Sequence, residues 1–154
     1  MGHARGDLLL LIAVLAAFGV VDAADLTYEW YAAGSASWCD VSSYFSCTKV
    51  RESPYAAVGG IPTATIGVVG FVLILLLAVM ILKGLEVPGP WRAQRWLLAL
   101  AVVGALIGLG LTVLEVAVIQ AVCLLCALGF GLDLGILGLA VVDARAVQSA
   151  SRSE

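Results

Sequence analysis

The chain has 154 residues, 62% of them hydrophobic and only 12% charged, with a mean hydropathy of +1.09. A soluble domain is roughly half apolar, and a chain this short has too little interior to hide the excess, so a single domain over residues 1–154 with a lipid bilayer as its solvent is expected. The net charge of −3 leaves 8 Lys and Arg residues scattered along the chain, which excludes a nucleic-acid footprint; there is no Gly-rich phosphate loop, zinc-finger spacing or Ser/His/Asp set, and the single histidine, His3, lies in a tail.

The first apolar run, Leu8 to Val21, is short for the roughly 20 residues that cross a bilayer. It completes a span over about 8–26 through Ala23, Ala24 and Leu26 if Asp22 and Asp25 sit at the outer interface. A secretory signal peptide is the alternative, with Arg5 before an apolar centre and small residues at Ala23 and Ala24. The chain shows no break from helical character between Ala23 and Tyr28, which favours the span. Asp22, Asp25 and Glu29 share one helical face and read as a solvated extension or as a surface for a basic partner.

Residues 27–60 form an outer loop rich in Ser, Gly and aromatic residues (Tyr28, Trp30, Tyr31, Trp38, Tyr44, Phe45, Tyr55). Rings with a polar edge suit the membrane–water boundary, so the loop is expected to fold down as a cap with one short helix after Cys47. A second span follows over about 61–82, with Pro62 tolerated in its first turn. Lys83 to Arg95, with Pro88, Gly89 and Pro90, is a turn-rich loop. The third span covers about 96–116 and the fourth about 119–142, with the reversal placed at Glu115 to Gln120 and a polar tail opening at Asp143 and Arg145. Glycines in the last two spans, Gly104, Gly108 and Gly129 among them, permit close helix packing. The fold class is therefore an all-α integral membrane protein, a bundle of four transmembrane helices with a loop and short-helix cap between spans one and two.

An even number of spans puts both termini on one side. Arg5, Lys83, Arg92, Arg95, Arg145 and Arg152 then face the cytoplasm, against Lys49 and Arg51 outside, which fits the positive-inside bias. The expectation is a multi-pass protein of the cell membrane with cytoplasmic termini. Inside the membrane, Asp133 is a functional candidate by default, or a carboxyl hydrogen-bonded between helices. Glu115 reads either as a proton relay or as a group reaching the outer interface.

The 4 cysteines fall into two pairs, Cys39/Cys47 and Cys123/Cys126, and this topology puts both near the outer face, where disulfides persist. Three connectivities are possible; Cys39–Cys47 and Cys123–Cys126 are favoured because each can close without the other. Cys123-Leu-Leu-Cys126 is a C-x-x-C motif read into the first two turns of the fourth helix, within reach of a lipid-dissolved ring. Cys39 and Cys47 would stand about 12 Å apart on a continuous helix, too far to bond, so the loop between them must bend back. Being exposed, they can meet soluble proteins. One pair in water and one in lipid, joined by thiol–disulfide exchange, make an electron path. The alternative is a pair of inert staples; a zinc site buried in lipid has nothing to recommend it, and no metal is expected.

The stretch Cys39-Asp-Val-Ser-Ser-Tyr-Phe-Ser-Cys47-Thr-Lys-Val, then Ser53-Pro-Tyr-Ala, then Gly60-Ile-Pro62, with Glu115 ahead of Cys123-x-x-Cys126, resembles the vitamin K epoxide reductase family in its prokaryotic quinone-linked branch. The resemblance covers roughly Leu8 to Val142. It implies a four-helix bundle around a quinone pocket, with menaquinone or ubiquinone as electron acceptor and disulfide bond formation as the outcome. By resemblance, Cys39 exchanges with a thioredoxin-like protein, Cys47 attacks Cys123, and Cys126 faces the quinone; the partner is expected to be a separate extracytoplasmic protein, since no such domain follows Val142. Ser53 matches a family serine near the loop cysteines, and Glu115, Thr63 and Phe130 are further pocket candidates. Phe130 stands where vertebrate members carry a tyrosine, and Thr63 and Thr65 where they use an asparagine, which favours quinone over epoxide reduction. A related quinone-linked group carries its cysteine pairs in the opposite order. The rival from another class is a non-enzymatic, claudin-like adhesion or barrier protein, whose first outer loop also holds a tryptophan and two spaced cysteines, as Trp38, Cys39 and Cys47 do here; it leaves Cys123 and Cys126 without a role.

Overall fold

In a computed structural model of the chain, the described residues are 3–32, 34, 36–85 and 90–152. The chain runs α1 (His3–Tyr31), α2 (Cys47–Arg51), a hairpin of β1 (Ala57–Val58) and β2 (Ile61–Pro62), α3 (Thr63–Leu82), α4 (Pro90–Leu114), one π-helical turn (Glu115–Ile119) and α5 (Leu124–Arg152). Helices α1, α3, α4 with its π turn, and α5 are each long and apolar enough to cross a membrane. Only a helix satisfies all its backbone polar groups within one segment in lipid, which is why four uninterrupted apolar stretches become four spans. The chain is an integral membrane protein.

Helix α1 packs on α3 and α5, and α4 closes the bundle mainly against α5. The mid-bundle core joins Leu9, Ile12, Ala13 and Ala16 of α1 to Ile74 and Ala78 of α3, Leu97 and Ala101 of α4, and Ile136 and Ala140 of α5. Half of these residues are alanine, since helices in lipid associate through close packing rather than through a hydrophobic drive. Large apolar side chains such as Phe18, Val21, Leu73, Leu106 and Leu134 point outward, where the acyl chains are.

Element ends differ from the sequence reading where polar groups intervene. Helix α1 continues through Asp22, Asp25 and Glu29 to Tyr31. Pro62 lies in β2 and immediately precedes α3, because Gly59 and Gly60, both at positive φ (60° and 83°), turn a tight hairpin just before it. Asp143 opens no tail: α5 runs on to Arg152, and Asp143 is 1% exposed. Arg5 Nε donates to its carboxylate at 2.9 Å, and Gln94 Nε2 donates to its other oxygen. A buried charge must be paired, and this clasp ties α1, α4 and α5 at the end of the bundle away from the cysteines. Part of the Lys83–Arg95 loop, residues 86–89, lies outside the described residues.

Candidate functional site

All four cysteines meet at the opposite end, beneath the α1–α3 connection and at the α4–α5 reversal. The reversal is built by local backbone geometry. After the π turn, Gln120 adopts a left-handed conformation (φ 54°), and both the Gln120 and Ala121 amides donate to the Glu115 carbonyl. Single π turns recur at functional sites because they offset the helix register locally. The extended Val122 then pairs with the cap: its N–H donates to Tyr44 O at 2.8 Å, and Ser46 N–H donates to Val122 O at 3.1 Å, a parallel bridge centred on Phe45. This bridge sets Cys47, at the start of α2, against Cys123.

Cys39 and Cys47 form a disulfide with Cα atoms 6.0 Å apart, so the loop between them does bend back. Cys123 and Cys126 are free thiols, and the expected Cys123–Cys126 bond is not the one this structure holds. Cys123 lies just before α5 rather than inside it, and Cys126 in the first turn. Cys123 Sγ is 2.9 Å from Cys47 Sγ, and it accepts the Cys126 N–H at 3.3 Å, in the place a capping side chain takes at a helix N-terminus. The sulfurs of Cys39, Cys47 and Cys123 all lie within 4.8 Å of one another. With Cys39 and Cys47 joined, the trio is a disulfide facing a thiol, an arrangement for exchange of S–S partners.

The expected division between a wet and a greasy pair is corrected. Cys39 and Cys47 are only 4% and 3% exposed, because the cap folds over them. The acidic face of α1 is part of that cap rather than a solvated extension. Glu29 accepts the Ser37 hydroxyl at 2.6 and 2.7 Å, Asp25 accepts Trp38 Nε1–H at 3.0 Å, and Asp22 is buried beside Gly129 of α5. Asp40 is the second anchor. It accepts from the hydroxyls of Ser46 and Thr48 at 2.9 and 2.5 Å and from the Thr48 amide at 3.1 Å. The Thr48 hydroxyl foremost, then the Thr48 amide and Ser46, holds the Asp40 carboxyl below its ordinary value. Ser46 also caps α2 by accepting Lys49 N–H at 3.2 Å.

A mainly apolar cleft of about 550 Å³, counted to its open mouth, lies beside the sulfurs. Leu26, Trp30, Leu111, Leu114 and Ile119 supply walls, while Cys47, Cys123 and Cys126 line it and Cys39 does not. Of the pocket candidates, Ser53, Thr63 and Glu115 line the cleft. Ser53 Oγ donates to Val50 O at 2.7 Å, Thr63 Oγ1 to Ala56 O at 3.1 Å, and Glu115, 3% exposed, accepts the Cys123 N–H at 3.1 Å. Phe130 does not line it: its ring sits on Gly108 of α4, in the space a side chain there would need. Asp133 likewise faces Gly104 in the α4–α5 seam.

Sequence reasoning passed over Ser37, Thr48, Asp40 and the Tyr44–Ser46 bridge to Val122. A Ser ahead of Cys47 at the start of a short helix was a readable capping signal; a single-residue bridge has no periodicity to read. Among known families, the model described as the Vitamin K epoxide reductase family matches residues 10–141.

Proposed function

The chain belongs to the vitamin K epoxide reductase family, and on that premise we propose that it is a membrane thiol–disulfide oxidoreductase carrying electrons from a separate thioredoxin-like protein dithiol to a membrane quinone, in support of disulfide bond formation. The observation that carries this reading is the 2.9 Å approach of Cys123 Sγ to Cys47 Sγ, with Cys126 opening onto an apolar cleft. Inert staples or an adhesion module give no reason for a disulfide and a third sulfur to converge.

The cleft fits a quinone by its chemistry: mainly apolar walls, a few polar groups at Ser53, Thr63 and Glu115, and two thiols at its lining. A menaquinone or ubiquinone held there supplies a two-electron, two-proton acceptor. The chain's own residues do the rest. A partner thiolate attacks Cys39, and Cys47 leaves as a thiolate; the partner's second thiol then releases itself oxidised. Cys47 attacks Cys123 of an oxidised Cys123–Cys126 pair, and Cys126 departs as a thiolate. Cys39 finally attacks the Cys47–Cys123 bond, restoring Cys39–Cys47 and leaving Cys123 and Cys126 as a dithiol. The state described above, with the loop pair bonded and the C-x-x-C pair free, corresponds to the end of that sequence. Burial of Cys39 means that the cap between α1 and α2 must lift for the partner to reach it. This end of the bundle is assigned to the outer side, where disulfides persist.

Purified protein given a quinone and a reduced thioredoxin-like substrate should turn over, and Cys126→Ala should lose at least about a hundredfold in rate, as removal of a covalent relay group does. Undiminished turnover in that variant would refute the assigned path.

A further inference from the structure

The Cys39 sulfur has a neighbour that sulfur exchange alone does not account for. Ser37 Oγ lies 3.5 Å from Cys39 Sγ and donates its one proton to the Glu29 carboxylate at 2.6 and 2.7 Å. Ser37 and Glu29 are 7% and 9% exposed. The Ser37 hydroxyl proton is shared between the Glu29 carboxylate and, more distantly, the disulfide-bonded Cys39 sulfur; against a Cys39 thiol, with that proton held by Glu29, its oxygen would be the acceptor, as it already is for the Cys39 N–H at 3.4 Å. We propose that Glu29 and Ser37 form a proton relay for Cys39, with Ser37 as a catalytic group touching the sulfur and Glu29 as the positioning carboxylate that receives the proton through it. The inference rests on the redox reading of Cys39 given above.

The last exchange step needs Cys39 as a thiolate, since the thiol is not the nucleophile. At a buried site, shedding a proton to distant water would create a second uncompensated charge, which is costly. The relay avoids that. The thiol proton of Cys39 passes to Ser37 Oγ as the Ser37 hydroxyl proton passes to Glu29, leaving a thiolate and a neutral carboxyl with the local charge unchanged. The thiolate electron pair then attacks Cys47 Sγ in the Cys47–Cys123 bond; the Cys39–Cys47 bond forms, and Cys123 leaves as a thiolate beneath the Cys126 N–H. When a partner later releases Cys39 as a thiolate, the proton returns along the same path.

Other charged and titratable groups around the relay have separate partners. Arg51 of α2 donates to the Glu29 backbone carbonyl at 3.1 Å, not to its carboxylate in that bond. Asp40 is held by Thr48 and Ser46, and Thr48 Oγ1 accepts the Ser37 N–H at 3.0 Å. Asp25 is occupied by Trp38, and Glu115 by the Cys123 amide. Cys47 and Cys123 are the sulfurs at exchange distance.

The test uses the full chain in nanodiscs with Cys39 as its sole cysteine, and reads its alkylation rate at a fixed pH below the parent midpoint. Glu29→Gln and Ser37→Ala should each slow alkylation about tenfold; loss of the Glu29 charge alone would favour the thiolate and speed it. Ser37→Thr, which keeps a hydroxyl, should restore the parent rate. Equal rates in all variants, a faster Glu29→Gln, or equal slowing in Ser37→Thr and Ser37→Ala, would overturn the relay. A second measurement avoids substitution: as the Cys39 thiol is consumed by exchange in the unaltered chain at constant pH, time-resolved infrared difference spectra should show a transient protonated-carboxyl band, and its absence would also overturn the relay. If the redox reading itself fails, the unaltered chain shows no quinone-dependent turnover while the alkylation rates still separate.

Discussion

Asp40 shows how one side chain can govern the geometry of a site it does not touch. Its carboxylate gathers the Ser46 hydroxyl, the Thr48 hydroxyl and the Thr48 amide, and so fixes both flanks of Cys47. These bonds, led by that of the Thr48 hydroxyl, hold its folded-state value below the ordinary one. A carboxyl lowered on folding contributes stability that is complete above its unfolded value and is lost as pH falls through its folded value. The cap should therefore be indifferent to pH near neutrality and loosen on acidification below about pH 4. Hydrogen-exchange protection of the Thr48 amide, corrected for intrinsic rate, should fall over that range, and Asp40→Asn should flatten the dependence. Protection that stays constant in the unaltered chain would remove Asp40 from this role. Asp143 is the contrasting case at the far end: its charge read as the start of a solvated tail, yet it is buried with Arg5 and Gln94. A charge in a sequence reports its cost of burial and says nothing of the partner that makes burial tolerable.

Helices α4 and α5 are locked by glycines that receive the neighbour's side chains. Phe130 fills the space above Gly108, and Asp133 the space above Gly104. Gly108→Val should thus clash with the Phe130 ring and destabilise the protein by about 1–3 kcal/mol, read as a lower midpoint of thermal unfolding in detergent. Adding Phe130→Ala should recover part of that loss, a non-additive pair of the kind contacting residues show. Additive losses would mean that the ring does not rest there. The same seam explains what was legible. The spans were readable because lipid demands about 20 apolar residues regardless of partner, and α3 ends at Leu82 as read. The start of α5 was not, because Val122 looks as helical as Leu124; its extended conformation comes from pairing with Tyr44 and Ser46, residues far away in the chain. Phe130 was a pocket candidate by resemblance, standing where vertebrate family members carry a tyrosine, but which side of α5 the ring takes is decided by the gap at Gly108 of a different helix. The four cysteines singled out in the sequence lie together in the fold, while the burial of Cys39 and Cys47 depends on Ser37, Trp38 and the acidic face of α1 folding over them.

At the scale of the molecule, the two ends of the bundle have opposite chemistry. One end holds the sulfurs, the cleft and the aromatic cap; the other holds the Arg5–Asp143–Gln94 clasp, the N-terminal end of α1 and the C-terminal end of α5. Basic residues are divided the same way: Arg5, Lys83, Arg95, Arg145 and Arg152 belong to the clasp end, and Lys49 and Arg51 to the cap. On the positive-inside bias we propose that the cap faces outward. With the native cysteines replaced by serine, Ser43→Cys in the exposed part of the cap should react with a membrane-impermeant maleimide on intact cells, and Ser149→Cys, exposed near the end of α5, only after permeabilisation. The reverse pattern would place Cys39–Cys47 in a reducing compartment, where glutathione-poised thiols would keep the pair open. Electrons would then have no oxidised loop disulfide to enter, so the orientation of the whole bundle, rather than any single distance within it, decides whether the sulfur path can run toward a quinone.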